Sequence, residues 1–190
     1  MPDKDGPRGR YVYLTPFDPA NLETVRAWVN DPETHRWMLS GQEHVSVEEE
    51  LAFYDETERA RAEGTAYRFE IHALDDGRLL GVCGLEHVSE RHRHAEVGLF
   101  IGCAEERGRG FGADAIRALL EHGFGALGLH SIRITVFAEN ERAHALYRRL
   151  GFVETGRDRE SWLISGALRD LVRLDMLEDE WRALCGDAAT

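Results

Sequence analysis

Two periods of hydrophobic and polar positions alternate along this chain, and their order predicts its elements. Residues 11–14 (YVYL) read as a short strand. A helical stretch, 18–31, follows, with Asp18 as N-cap and Pro19 at the first helical position. Ser46 and Glu49 form a capping box that opens a second helix, reaching about Gly64. Residues 67–74 and 78–88 are strands joined by the turn DDG, and 94–102 is a further strand. Ile116, Leu119, Leu120, Gly123, Phe124 and Leu127 then recur on one helical stripe. In 131–137 (SIRITVF), Ile132, Ile134 and Val136 share one face of a strand. Asn140 caps a short helix that Gly151 ends, and two strands close the pattern around a turn at Ser165–Gly166.

The order β-α-α-β-β-β-α-β-α-β-β predicts a mixed sheet of about seven strands flanked by about four helices, an α/β (α+β mixed) architecture. No repeat and no linker divides it. A single domain over 11–185 is expected, with 1–10 as a disordered tail.

Composition narrows the function classes. The net charge of −12 speaks against a nucleic-acid partner, since phosphate contacts need clustered Lys and Arg. No apolar run reaches the ~18 residues of a membrane span, so no membrane partner is expected. Three scattered cysteines, Cys83, Cys103 and Cys185, fit a reducing cytoplasm better than a disulfide framework. The histidine-rich HVSERHRH (87–94) lacks a metal-ligand spacing and reads as a polar strand–turn–strand; no metal is expected. Residues 31–63 carry ten acids against three arginines, either a solvated helix face or a field that attracts a cationic substrate.

The loop from Glu105 to Asp114 (EERGRGFGAD) carries the chemistry. It lies between a strand and a helix, so its N–H groups belong to a helix N-terminus. Those groups lack intrahelical partners and carry the positive end of the helix dipole. Glycines at 108, 110 and 112 let an anion reach the backbone without meeting a Cβ, which suits a phosphate or pyrophosphate. No lysine completes a P-loop, and Ala113 stands where the dinucleotide motif needs its third glycine. The spacing that fits is Arg107-x-x-Gly110-x-Gly112. With the chain at −12, Arg107, Arg109 and the helix terminus would supply the local positive charge.

That motif, followed thirty residues on by NERAHALYRRLGF (140–152), resembles the paired signatures of the GNAT superfamily of N-acetyltransferases, in the branch holding the spermidine and ribosomal-protein N-terminal enzymes. The resemblance covers roughly 11–177. It implies a sheet splayed between its fourth and fifth strands, with acetyl-CoA in the gap. Carried over, the pantetheine arm pairs with Leu99, Phe100 and Ile101. The pyrophosphate sits on Arg107, Gly108, Arg109, Gly110, Phe111 and Gly112, and Asn140 lies near the pantetheine. Tyr147 matches the family's general acid, and Glu96 its general base, with Glu86 on the neighbouring strand as the rival.

Ala143 and Tyr147, in place of a serine and a non-tyrosine, resemble the polyamine and antibiotic acetylating members more than the ribosomal ones. The expectation is transfer of acetyl directly to a small primary amine, polyamine-like first, by a homodimer or higher homo-oligomer. A peptide N-terminus, an antibiotic or amino sugar are the alternative acceptors, and an idle acyl-CoA sensor is the non-enzyme alternative. Trp37, Phe53 and Tyr54 could pack against an aliphatic amine, or simply belong to the core.

Overall fold

The computed structural model describes residues 6–39, 44–164 and 166–187. In chain order its elements are β1 (Val12–Thr15), α1 (Leu22–Val29), α2 (Pro32–His35), α3 (Val47–Glu63), β2 (Tyr67–Ala73), β3 (Leu79–Ser89), β4 (His94–Ile101), α4 (Phe111–Leu120), β5 (Ser131–Phe137), α5 (Glu141–Arg149), β6 (Val153–Ile164), β7 (Ala167–Leu177) and α6 (Glu178–Asp187). One seven-stranded sheet runs β1-β2-β3-β4-β5-β7-β6. Every neighbouring pair is antiparallel except β4 and β5.

That parallel pair places the site. Its register holds for His94–Ser131, Ala95–Ile132 and Glu96–Arg133, and stops there. Beyond Glu96, β4 stays paired only with β3, while β5 stays paired only with β7. The sheet therefore opens a V between 97–101 and 134–137, the splay that the resemblance implied.

Helices cover both faces. On one, α4 buries Ala115, Ile116, Leu119 and Leu120 against Leu85, Val97, Ile132 and Ile134. It continues as a π-turn over Glu121–Ala126, where Gly123 sits so low that an added Cβ would lie 2.6 Å from Ile132 Cδ1. On the other face, α1 packs Leu22, Val25 and Val29 with Phe17 and Val45. Trp37, Leu39 and Trp162 pack against Phe137, Ile164 and Leu171.

The capping box of α3 is present, with Ser46 and Glu49 bonded in both directions, and left-handed Gly64 ends the helix. Other boundaries differ from expectation. Asp18 and Pro19 open a single 3₁₀ turn, Pro19–Asn21, and α1 begins only at Leu22. Asp31 then caps the additional short helix α2, accepting from the Thr34 amide and hydroxyl. The last described element is α6, which the sequence reading leaves unassigned, so among the described residues six helices stand where about four are expected.

Residues 6–10, expected as part of a disordered tail, are tied down. The Arg10, Tyr11 and Val12 amides all donate to the carboxylate of Asp114, at 3.0, 2.7 and 3.1 Å. Residues 1–5 of that expected tail and Ser165 of the last turn lie outside the described residues.

Candidate active site

Two cavities meet at the V. The first, about 380 Å³, lies between the end of β4, the glycine loop and α5. The second, about 430 Å³, runs from the V over β3, β4 and β5 toward α2 and α3. Thr34, Trp37, Leu99, Phe100, Asn140, Ala143 and Tyr147 line both, so the two are halves of one passage.

The glycine loop forms the far end of the first cavity. Gly108 and Gly110 are left-handed (φ 84° and 96°), and Gly110 is the N-cap of α4. The amides of 108–112 carry no hydrogen bond among the described residues. Such a run of free N–H groups at a helix N-terminus is an anion cradle. Gly112 packs tightly on β4: a Cβ there would stand 3.3 Å from Leu99 Cδ2.

The two expected arginines differ at this cradle. The Arg107 guanidinium is a clamp, donating to the Ile101 carbonyl (2.9 Å), the Gly102 carbonyl (3.1 Å) and Thr34 Oγ1 (2.7 Å). Arg109 points away, pairs with Glu106 and stacks on Phe111, 5.5 Å from the ring centroid. Neither Arg109 nor Phe111 lines the cavity; the other eight expected cofactor residues do. Arg78 also neutralises Glu106. Arg142 and Arg149 of α5 line the cavity without a salt-bridge partner among the described residues, and Arg142 lies beside Gly108. The sequence reading missed both, because a basic helix end has an ordinary explanation in the helix dipole.

Asn140 serves twice. Its Oδ1 accepts from the Ala143 amide (3.1 Å) as the cap of α5, and the residue borders both cavities. One face of α5 turns Tyr147 inward against Phe152, with ring centroids 5.7 Å apart. Tyr147 is only 4% exposed, and burial pushes its phenol well above the usual tyrosine range. Burial therefore keeps the phenol in its neutral form, the form that a proton donor needs.

The two carboxylates differ sharply. Glu86 and Glu96 face each other across β3 and β4, and both line the second cavity. Glu86 is held by a bidentate pair with Arg68, at 2.6 and 2.7 Å. Glu96 has no such cation among the described residues. Beside them His87 has φ 50°, at a register break in β3, and it too borders the cavity. A bulge is not written in side-chain periodicity, so the sequence reading takes His87 as part of a polar strand–turn–strand and not as a cavity residue.

Trp37 and Phe53 line the second cavity, whereas Tyr54 packs into the α1 cluster. No acid of α3 lines either cavity, and Glu43 lies outside the described residues. Cys83 also borders the second cavity; burial pushes its thiol up, away from the thiolate form.

Residues 12–153 match the family model described as an acetyltransferase (GNAT) domain. A putative ribosomal N-acetyltransferase, YdaF, of Bacillus subtilis (strain 168) is 34% identical over 112 residues, 59% of this chain and 61% of that protein. The spermidine N(1)-acetyltransferase of Escherichia coli (strain K12) is 26% identical over 181 residues, 93% of this chain and 91% of that protein. The crystal structure of spermidine N-acetyltransferase from Vibrio cholerae, in complex with CoA and spermine, superposes with a TM-score of 0.82 at 26% identity, covering 90% of this chain and 98% of that one. The open V, the free amides at its end and the family match agree: this chain belongs to the GNAT family and is an N-acetyltransferase that uses acetyl-CoA as co-substrate.

Proposed function

We propose that the protein transfers acetyl directly from acetyl-CoA to a small primary amine, with both substrates bound together. The observation that carries this reading is the continuous passage from the free amides of 108–112 to Glu96, with Tyr147 at the junction. The pyrophosphate is assigned to those amides, with Arg142 and Arg149 beside it. The pantetheine is assigned to the unpaired edge of β4 at Leu99, Phe100 and Ile101, where backbone groups facing the V lack a strand partner.

In this reading Glu96 takes the ammonium's proton, directly or through a water, because only the neutral amine is a nucleophile. The amine nitrogen forms a bond to the thioester carbonyl carbon, the C–S bond breaks, Tyr147 gives its proton to the departing thiolate, and the nitrogen's second proton leaves to solvent, from which Tyr147 is reprotonated. Glu86 suits the base role less, since proton uptake there would weaken the Arg68 pair. Cys83 offers no covalent alternative, because a thiol kept protonated by burial is a poor nucleophile.

Polyamines belong in the acceptor panel, since spermidine N-acetyltransferases stand among the relatives. We further propose a reducing, cytoplasmic setting, in which the three cysteines stay free. A homo-oligomer is also proposed, for which the exposed Leu163–Leu168 pair on the β6–β7 hairpin offers apolar surface. Thiol release from acetyl-CoA, measured over polyamines, monoamines, amino sugars and N-terminal peptides, tests the reaction. Intersecting initial-velocity lines are expected for direct transfer, and parallel lines would contradict it.

A further inference from the structure

The acceptor half of the passage limits how many positive charges an amine can bring into it, an inference that rests on N-acetyl transfer occurring there. Among the described residues two carboxylates line it, Glu86 and Glu96. Arg68 already neutralises Glu86 through two hydrogen bonds, so one negative charge remains for the ligand. Three of the aromatic rings that line it already carry a guanidinium. Arg68 lies over Phe53 at 4.9 Å, Arg36 over Trp37 at 4.7 Å and Arg169 over Phe137 at 5.6 Å.

The acidic stretch of 31–63 does not supply the missing charge. Of its described residues, only Glu33 among the acids borders either cavity; it faces the acetyl-CoA side and lies 3.7 Å from Arg36. A second ammonium entering this space would lose its hydration beside guanidinium groups and apolar walls, with no further carboxylate among the described residues to receive it. A neutral apolar body meets no such penalty and gains from the aromatic lining.

We propose that the acceptor is a primary amine with a single positive charge and an apolar body, and that Arg68 is the residue that excludes a second charge. Hexylamine, 2-phenylethylamine, 1,6-diaminohexane and spermidine form a suitable series; the first and third differ only by a terminal ammonium. At pH 7.5 and saturating acetyl-CoA, kcat/KM for hexylamine and 2-phenylethylamine should exceed that for 1,6-diaminohexane and spermidine by about ten-fold or more, the weight of one poorly compensated polar group. A diamine or spermidine turned over equally well or better overturns the proposal, and so does failure to acetylate either monoamine. Calorimetric binding of acetyl-CoA to the same preparation separates the two levels, since only its absence counts against the N-acetyltransferase reading itself. Arg68→Gln frees the Glu86 carboxylate and should narrow the hexylamine to diaminohexane ratio several-fold; an unchanged ratio overturns the role given to Arg68.

Discussion

In the proposed reaction Glu96 and Tyr147 divide the proton traffic between a carboxylate with no salt-bridge partner among the described residues and a phenol shut away from water. Replacing Glu96 by Gln should flatten the rise of kcat with pH, whereas Glu86→Gln should leave the shape of that rise intact. A pH–rate profile for each variant distinguishes them, and the opposite pattern would make Glu86 the base. Burial moves the Tyr147 phenol upward, so it stays protonated beyond pH 10, and no loss of rate from its ionisation is expected between pH 8 and 10. Arg142→Gln should raise the KM for acetyl-CoA with little change in kcat, because a charge beside the cradle contributes to binding rather than to the reacting bond. The positions of Tyr147 and of the glycines could be read from motif spacing. The use of each arginine could not, since a guanidinium four bonds from its Cα reaches carbonyls or solvent according to tertiary neighbours.

At the level of elements, α4 depends on its first turn. Asp114 is 5% exposed and takes three backbone N–H groups from the start of β1, so it binds the chain's beginning to the helix that carries the cradle. Asp114→Ala would leave those amides without an acceptor and should cost about 3 kcal/mol, in line with buried hydrogen bonds to a charged group. Chemical denaturation measures this, and a loss near zero would remove Asp114 as an anchor. Strands, the capping box of α3 and the stripe of α4 were legible because each is a local period or cap. The early helices were less so. Pro19 and Pro32 both favour helix starts, but nothing local tells that the first opens a lone 3₁₀ turn and the second a four-residue helix. Helix α6 was less legible because it follows β7 without a break, so no turn or loop residue marks its start.

Across the whole molecule, the sheet holds the site open at one place. Six antiparallel or parallel ladders bind seven strands, and only the β4–β5 ladder stops short, so the V is part of the sheet's architecture rather than a loop's. The element order alone gave a mixed sheet; the splay was legible only through the family resemblance, because strand periodicity carries no record of where a ladder ends. Away from the V, on β2 beside the edge strand, buried Glu70 pairs with half-buried His72 at 2.9 Å. Burial pulls the His72 pKa down, but Glu70, the Gly77 carbonyl and Asp18 together outweigh it, and the net shift is upward. A raised histidine pKa stabilises the fold fully below the unfolded value of ~6.5, and that contribution is lost as pH rises through the folded value. The Tm advantage of the wild type over His72→Gln should therefore shrink as pH is raised above 6.5, and an advantage that grows would contradict this. The central claim, acetyl transfer across the V with Tyr147 as the acid, is tested most directly by kcat for thiol release in Tyr147→Phe, with acetyl-CoA affinity measured on the same protein. The account predicts a fall of about 100-fold or more with affinity unchanged, the usual weight of a positioned general acid. An undiminished kcat, or a fall in affinity that accounts for the whole loss, would contradict it.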